Sequence, residues 1–178
     1  MGRVRVFLAL SLDGFIAGPQ DELDWLEPSG EVEDTFGPFL AEVGALVMGR
    51  RTYDVVRSFA GPWPYGERPL IVATHRPLEP AHAGVRAMAG DIVDLVAAAR
   101  TLAGERDVYL DGGQLVRQAL AAGLVDELTL TVIPLLLREG ISLFGGLSAR
   151  QPLLLEAVKP LGAGFVQLRY ACPAVSPG

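Results

Sequence analysis

The 178-residue chain is short of the residue types on which several classes of protein depend. Its one cysteine, Cys172, excludes an internal disulfide framework and a cysteine-rich zinc site, and two histidines leave few ligands for another metal centre. Of its 15 basic side chains only Lys159 is a lysine, and a net charge of −6 argues against a nucleic-acid-binding protein. The apolar runs are too short to span a membrane, and Asp13 comes too early for a signal peptide. We therefore expect one soluble, cytoplasmic domain over residues 1–178, with no metal site.

Apolar residues, glycine and proline are abundant. Half of the residues are hydrophobic, which is enough for a sizeable core, and 21 glycines and 13 prolines are spread along the chain as turn signals. Nearly continuous apolar runs at residues 4–10, 45–48 and 69–73 predict strands that are buried on both faces of a parallel sheet. Helical spacing of apolar residues predicts helices over residues 31–43 and 91–100.

The order of the predicted elements indicates the fold class. Strands and helices alternate for most of the chain, which is typical of an α/β fold with a mostly parallel central sheet and helices on both faces. The last two predicted strands, residues 153–158 and 165–170, have no helix between them. We therefore expect an antiparallel hairpin at the C-terminal edge of the sheet.

Three predicted strand ends carry residues that suit an anionic ligand. Ligands of such sheets bind beyond the carboxyl ends of the strands, near helix N-termini. Two of these ends are glycine-rich turns, Met48-Gly49-Arg50-Arg51-Thr52 and Asp111-Gly112-Gly113-Gln114-Leu115, and the third is Thr74-His75-Arg76. Each could be ordinary turn geometry, but an extended dianionic ligand such as a dinucleotide would explain all three.

The common nucleotide-binding motifs, G-x-G-x-x-G and the Walker pattern, are absent, so neither an ordinary Rossmann domain nor a P-loop kinase is predicted. Four segments instead resemble the dihydrofolate reductase superfamily: VFLALSLDGFIA (6–17), ALVMGRRTY (45–53), VYLDGGQLVRQALAAGLVDELTLTVIP (108–134) and GISLF (140–144). The chain is most similar to the reductase domain of the riboflavin-biosynthesis deaminase-reductase and its stand-alone relatives. Because the deaminase motifs His-x-Glu and Pro-Cys-x-x-Cys are absent, the resemblance implies a stand-alone reductase domain.

The resemblance implies a dihydrofolate reductase-like fold, NADPH as cofactor and a homodimer. It places Ala9, Ile16 and Ala17 at the nicotinamide and Thr74, His75 and Arg76 at the 2′-phosphate. It assigns the remaining phosphate contacts to two turns, which comprise Gly49, Arg50, Arg51 and Thr52 in one and Gly112, Gly113, Gln114 and Leu115 in the other. Guanidinium groups recognise a 2′-phosphate well, here in a protein whose net charge would repel it.

The catalytic residues are less sharply defined by the resemblance. Dihydrofolate reductase uses a carboxylate on the helix before the Met-Gly-Arg strand, and Glu33 or Asp34 falls near that place. Both could instead be solvated acids that favour the helix dipole. Asp13 lies in the SLDG segment typical of the riboflavin branch, where it would face the substrate, or it forms an ordinary Asp-Gly turn.

Our first hypothesis is therefore an NADPH-dependent oxidoreductase. A hydride would pass to an electron-poor C=N or C=O carbon of a small heterocyclic or sugar-derived substrate, with a proton from Asp13, Glu33 or a bound water. Trp25, Trp63 and Tyr65 could stack on that substrate or simply pack the loops. The nominal substrate is 5-amino-6-(5-phosphoribosylamino)uracil. The alternatives are dihydrofolate, an NADPH-binding module that has lost catalysis, and a structural dimer that binds no nucleotide.

Overall fold

An eight-stranded sheet runs through the centre of the computed structural model, which describes residues 1–173 of the chain. Two short strands pair with each other beside it. In chain order the strands are β1 (Val4–Ser11), β2 (Phe15–Ala17), β3 (Val43–Gly49), β4 (Leu70–Ala73), β5 (Val85–Met88), β6 (Asp107–Asp111), β7 (Glu127–Ile133), β8 (Ile141–Ser142), β9 (Leu154–Gly162) and β10 (Phe165–Ala171). The order across the large sheet is β5-β4-β3-β6-β1-β7-β10-β9, and β2 pairs with β8.

The large sheet is parallel from β5 to β7 and antiparallel at its last two strands. The β9–β10 hairpin turns through Gly162, Ala163 and Gly164, all with positive φ. The α/β class, the mostly parallel sheet and the C-terminal antiparallel hairpin are thus confirmed. Strands of two or three residues are too short for a periodic pattern, and for that reason the sequence did not predict the β2–β8 pair.

Helices cover both faces of the sheet. They are α1 (Phe36–Glu42), α2 (Arg50–Ser58), α3 (Ile92–Ala103) and α4 (Gly113–Ala121). Helices α3 and α4 bury small and branched residues against one face, whereas α1 and α2 bury Phe39, Tyr53 and Val56 against the other. In the part of the chain that the structure describes, each helix is too short or too polar to cross a membrane.

The first helix begins later than the apolar spacing predicts. A helix over residues 31–43 was expected, but α1 starts at Phe36. The backbone N–H of Glu33 donates to the Leu161 carbonyl in β9 at 2.8 Å, so this part of the chain is extended along the hairpin. The Asp34 carboxylate then accepts from the amides of Phe36 and Gly37 at 3.0 and 3.1 Å and turns the chain into the helix. Pro38 does not break the helix because it lies in the first turn, where no N–H is needed.

Candidate functional site

A cleft of about 690 Å³ opens at the carboxyl edge of the parallel strands. Its walls come from the ends of β1, β3, β4 and β6, from β2, and from the starts of α2 and α4. The structure brings together at this cleft the predicted cofactor-binding residues Ala9, Ile16, Ala17, Gly49, Arg50, Arg51, Thr52, Thr74, His75, Gly112, Gly113, Gln114 and Leu115. Arg76 instead borders an adjacent hollow. The contact of these residues with a cofactor stays a prediction.

Two helix N-termini meet in this cleft. Helix α2 begins after Gly49 and α4 after Gly112, and neither helix start has a side-chain cap. The first-turn N–H groups of a helix have no partner within the helix. They therefore remain available for a ligand, and the helix dipole favours a negatively charged one.

The two glycine turns also touch each other. Gly112 has a φ of +97°, and a Cβ atom placed on it would lie 2.7 Å from Thr52 Oγ1 and 3.6 Å from Gly49 N. A side chain at Gly112 would therefore be strained and would push the turns apart. A Cβ atom on Gly49 would meet no atom within 4 Å, so there is open space at that turn. The paired turns thus fit one extended anion, such as a pyrophosphate, that contacts both helix starts.

Positive side chains border the same turns. The Arg50 Nε donates to both carboxylate oxygens of Asp54 at 2.9 and 3.0 Å, and its Nη1 donates to the Pro77 carbonyl. The Arg51 Nε donates to the Asp21 carboxylate at 2.6 Å. His75 lines the cleft as well. This cationic border suits phosphate groups, because guanidinium groups pair with their oxygens in a planar, charge-assisted geometry.

A buried acid lies in the cleft beside these turns. Asp111, the last residue of β6, is 8% exposed. Burial raises the pKa of its carboxyl to about 6, although the hydrogen bond from the Gly112 amide lowers it. The Gly112 N–H donates to Asp111 Oδ1 at 2.7 Å. Asp111 is therefore a carboxyl that can carry a proton close to neutral pH.

One end of the cleft is aromatic, and we call the group Phe7, Tyr65 and Tyr109 the aromatic end. The ring centroids of Tyr65 and Tyr109 are 6.4 Å apart, and the Tyr109 hydroxyl donates to the Phe7 carbonyl at 3.0 Å. Burial raises the pKa of both tyrosines well above its ordinary value. Val56 from α2 and Phe59, the residue directly after this helix, add apolar surface to the cleft. Such walls accept a flat ring.

The two tryptophans pack elsewhere. Trp63 packs against the rings of Tyr53 and Tyr65 and stacks on His82, at a centroid distance of 5.2 Å for the last pair. Trp25 packs on the small cluster around Leu161. Of the three aromatic residues that the sequence offered for stacking on a substrate, only Tyr65 borders the cleft.

The structure does not bring the predicted catalytic acids Asp13 and Glu33 to the cleft. The Asp13 carboxylate accepts from the Ser11 hydroxyl at 2.6 Å and from the amides of Leu137 and Arg138, and these bonds lower its pKa. Glu33 accepts from Lys159 Nζ at 2.6 Å, in a half-exposed ion pair. Because neither carboxylate borders the cleft, the geometry gives no support to a catalytic role for them.

Sequence reasoning missed the buried carboxyl of Asp111 and its raised pKa. The available signal was an acidic residue at the end of a buried apolar strand, directly before Gly112. It was interpreted only as part of a turn, because burial and the neighbouring tyrosines come from the folded chain. Within residues 1–173, His, Cys, Asp and Glu side chains do not gather in groups of three that could hold a metal ion.

The pattern of the RibD C-terminal domain matches residues 3–166. The chain belongs to this family. Two proteins of similar length in Bacillus subtilis (strain 168) are similar in sequence. The uncharacterized protein YwjB is 30% identical over 166 residues, which cover 93% of this chain and 95% of YwjB. The uncharacterized protein YyaP is 27% identical over 179 residues, with 94% of each chain covered.

Solved structures share the fold. A Shewanella sp. PV-4 protein, provisionally named a riboflavin biosynthesis protein, superposes with a TM-score of 0.85 at 32% identity, over 96% of this chain and 99% of that one. RibD of Acinetobacter baumannii gives a TM-score of 0.67 at 20% identity, over 97% of this chain and 58% of RibD. The resemblance to RibD-type reductases and their stand-alone relatives is therefore confirmed.

Proposed function

We propose that this RibD C-terminal domain protein is an NADPH-dependent reductase of a small, flat heterocycle. The observation that carries the proposal is the contact between the Gly49 and Gly112 turns. It joins two uncapped helix starts in one cleft with Asp111 and the aromatic end. A dinucleotide phosphate group fits the first part of this arrangement, and a flat substrate fits the second.

Three sets of residues would hold the cofactor. The amides of the two turns and the Thr52 hydroxyl suit the pyrophosphate, and the arginines with Thr74 and His75 suit the 2′-phosphate that distinguishes NADPH from NADH. Ala9, Ile16 and Ala17 would pack against the nicotinamide. When bound, NADPH supplies a hydride, and the protein supplies position and a water-poor surface.

Asp111 is the residue that we propose as proton donor. Its burial raises the pKa to about 6, so that roughly a tenth of the carboxyl is protonated at pH 7, a far larger fraction than for an ordinary aspartate. The Gly112 amide fixes one carboxyl oxygen at 2.7 Å. A reduced C=N nitrogen or C=O oxygen that binds next to Asp111 could take the proton there.

Two substrates are supported to different degrees. The family match supports 5-amino-6-(5-phosphoribosylamino)uracil, since a Thermotoga maritima protein of this fold is a diaminohydroxyphosphoribosylaminopyrimidine deaminase/5-amino-6-(5-phosphoribosylamino)uracil reductase (TM-score 0.67, 14% identity, 97% of this chain and 57% of that one). Dihydrofolate is the second candidate. The aromatic end favours a flat ring without a phosphate.

We also propose that the protein is a homodimer. Leu154, Leu155 and Val158 on the edge strand β9 are each more than half exposed. An apolar edge strand with unpaired backbone groups favours pairing with a second copy. Light scattering tests this proposal, because a mass near 18.9 kDa would contradict it. Location in the cytoplasm stays a prediction.

Fluorescence titration with NADPH and NADH tests the cofactor assignment. We expect NADPH to bind more tightly than NADH, and an Arg50→Ala/Arg76→Ala variant to lose affinity for NADPH by roughly tenfold or more, the value of a charge-assisted hydrogen bond. Arg86→Ala/Arg150→Ala is the matched control, because it removes two exposed arginines that do not line the cleft. Folded protein that binds neither nucleotide would refute the proposal. NADPH binding without oxidation by either substrate would favour a silent binding module.

A further inference from the structure

A second hollow of about 660 Å³ lies beside the cleft. The two spaces share Asp21, Leu23, Arg51, Val55 and Phe59 in their walls. Asp21 and Arg51 are the charged members of this shared wall, and they come from different elements: a loop after β2 and the first turn of α2. Whatever binds at the start of α2 therefore meets both a positive and a negative side chain.

These two side chains form an ion pair. The Arg51 Nε lies 2.6 Å from Asp21 Oδ2, and the side chains are 63% and 28% exposed, respectively. Arg51 is the second residue of α2, at the helix start where a phosphate group would bind. The Asp21 carboxylate thus occupies the place on Arg51 that an anionic oxygen of a ligand would take.

A tight turn holds Asp21 in this position. Asp21 has a φ of +68°, which aspartate tolerates better than most residues, and its N–H donates to the Gly18 carbonyl at 3.2 Å. The Gly18 N–H donates to the Glu22 carbonyl at 3.0 Å, and the Gln20 N–H donates to the Glu22 carboxylate at 2.8 Å. These bonds lie within residues 18–22, so the pair with Arg51 is the polar contact that ties the turn to α2.

The other arginine at this helix start is engaged differently. Arg50 pairs with Asp54, four residues further along the same helix, so that this pair joins no separate elements. Arg50 also donates to the Pro77 carbonyl of a different loop, whereas the Asp21–Arg51 pair is the ion pair that connects the 18–22 turn to this helix start, and both its members line the cleft. A ligand that binds Arg51 in place of Asp21 would therefore break this ion pair and also detach the 18–22 turn from α2.

We propose that Asp21 is an internal competitor for Arg51. It ties the 18–22 turn to α2 while the anion site is free, and an anionic oxygen that binds Arg51 releases the turn. The inference rests on the proposed function in so far as that oxygen belongs to NADPH. Exposed ion pairs contribute little net stability, so a phosphate can displace the carboxylate at small cost. The carboxylate nevertheless repels the incoming anion.

Two variants that each remove one negative charge test whether Asp21 competes with a ligand for Arg51. Asp21→Asn keeps the size of the side chain and removes its charge, and we expect it to bind NADPH about fivefold more tightly than the wild type, the upper value for an exposed pair. Glu22→Gln is the matched control, because it removes the same charge from the same turn but has no contact with an arginine. We expect it to change the dissociation constant by less than twofold. An unchanged or weaker affinity of Asp21→Asn would overturn the proposal.

Hydrogen exchange separates this inference from the cofactor assignment. Inorganic pyrophosphate should accelerate amide exchange in the peptide that covers residues 18–27 of the wild type, as the turn is released. In Asp21→Asn the amide hydrogens of this peptide should exchange quickly even without a ligand. In Glu22→Gln they should exchange as slowly as in the wild type. If the wild type bound no NADPH, the proposed function would fail. Fast exchange in Asp21→Asn, and not in the other two proteins, would still show that the Asp21–Arg51 pair holds the turn on α2. Equal exchange in all three proteins would refute it.

Discussion

Charged residues crowd both ends of the parallel strands, but they are paired in opposite ways. At the amino ends, Arg5 is 7% exposed as a side chain and contacts Glu127 at 2.7 Å, Asp107 at 3.0 Å and also Glu42. At the carboxyl ends, Arg51 is 63% exposed and has the single carboxylate of Asp21 as its partner. The same type of side chain is therefore buried and saturated at one end, and exposed and singly paired at the other.

This difference indicates that the amino ends of the parallel strands stabilise the fold and that the carboxyl ends are suited to binding. A buried arginine with several carboxylates cannot leave them without exposing unpaired charge, so it fixes the strands β1, β6 and β7 at their starts. An exposed arginine with one partner can exchange that partner for a ligand at little cost. We therefore expect substitutions at the amino ends to change stability and substitutions at the carboxyl ends to change binding and pH dependence.

The strongest test of this comparison is Arg5→Ala. The substitution leaves Glu127 and Asp107 without their buried partner, and we expect the free energy of unfolding to fall by about 3–5 kcal/mol. Urea unfolding measures this change. Arg3→Ala is the control, because Arg3 contacts the same carboxylates but is 52% exposed, and it should cost about 1 kcal/mol or less. Equal losses in the two variants would contradict a buried, saturated network. If Arg5→Ala does not fold, Arg5→Met supplies the measurement.

A second test concerns the pH dependence that Asp111 imposes. Because burial raises its pKa from 3.8 to about 6, the unfolded chain loses this proton at lower pH than the folded chain. The contribution of Asp111 to stability therefore falls as the pH rises through that window, by roughly 3 kcal/mol in total. Asp111→Asn keeps a carbonyl oxygen for the Gly112 N–H and removes the titration.

We expect Asp111→Asn to match the wild type in stability near pH 4, to exceed it progressively as the pH rises to about 6, and to keep a nearly constant advantage from there to pH 7.5. Urea unfolding of both proteins across this range gives the difference, in which the titrations of the other carboxylates cancel. If the difference in the free energy of unfolding does not change with pH, the Asp111 carboxyl of the folded protein has its ordinary pKa. In an assay with an accepted substrate, the same variant should lower turnover, as expected for the loss of a proton donor.

The smallest effect is expected for Glu33→Gln. Glu33 and Lys159 form a half-exposed pair away from the cleft, so the loss of the charge should change stability by no more than about 0.5 kcal/mol. Turnover should stay at the wild-type value, in contrast to Asp111→Asn. A clear loss of turnover in Glu33→Gln would restore Glu33 as a catalytic candidate and would show that the acid acts from outside the cleft.

The sequence predicts the strands and turns that form the cleft better than it predicts the side chains that are paired or buried there. Buried apolar runs define the strands, and glycine directly after a strand marks the turns at Gly49 and Gly112, so the cleft edge follows from local patterns. The raised pKa of Asp111 comes from its burial in the folded chain, which no local pattern shows. The same holds for the Asp21–Arg51 pair, whose members are thirty residues apart.

Local patterns also failed where another element decides the conformation. Residues 31–35 have the composition of a helix start, but the Glu33 N–H donates to the Leu161 carbonyl in β9, and the helix begins only at Phe36. Asp34 fell within the range of the predicted helix and instead forms the turn before it. For Glu33 the information lies in a hairpin more than a hundred residues later, which periodicity cannot reveal, whereas the Asp34 turn is made by local hydrogen bonds to Phe36 and Gly37.

The joined anion site can form during folding only once Thr52 and Gly112 are in contact. It depends on the pairing of β3 with β6, which are neighbours in the sheet although α2, β4, β5 and α3 lie between them in the chain. A chain that has formed only its local helices and turns has no joined anion site, because the long-range strand pair must form first. Ligand affinity would then report on the completed sheet alone, and a saturating ligand would protect the whole domain against unfolding instead of one loop.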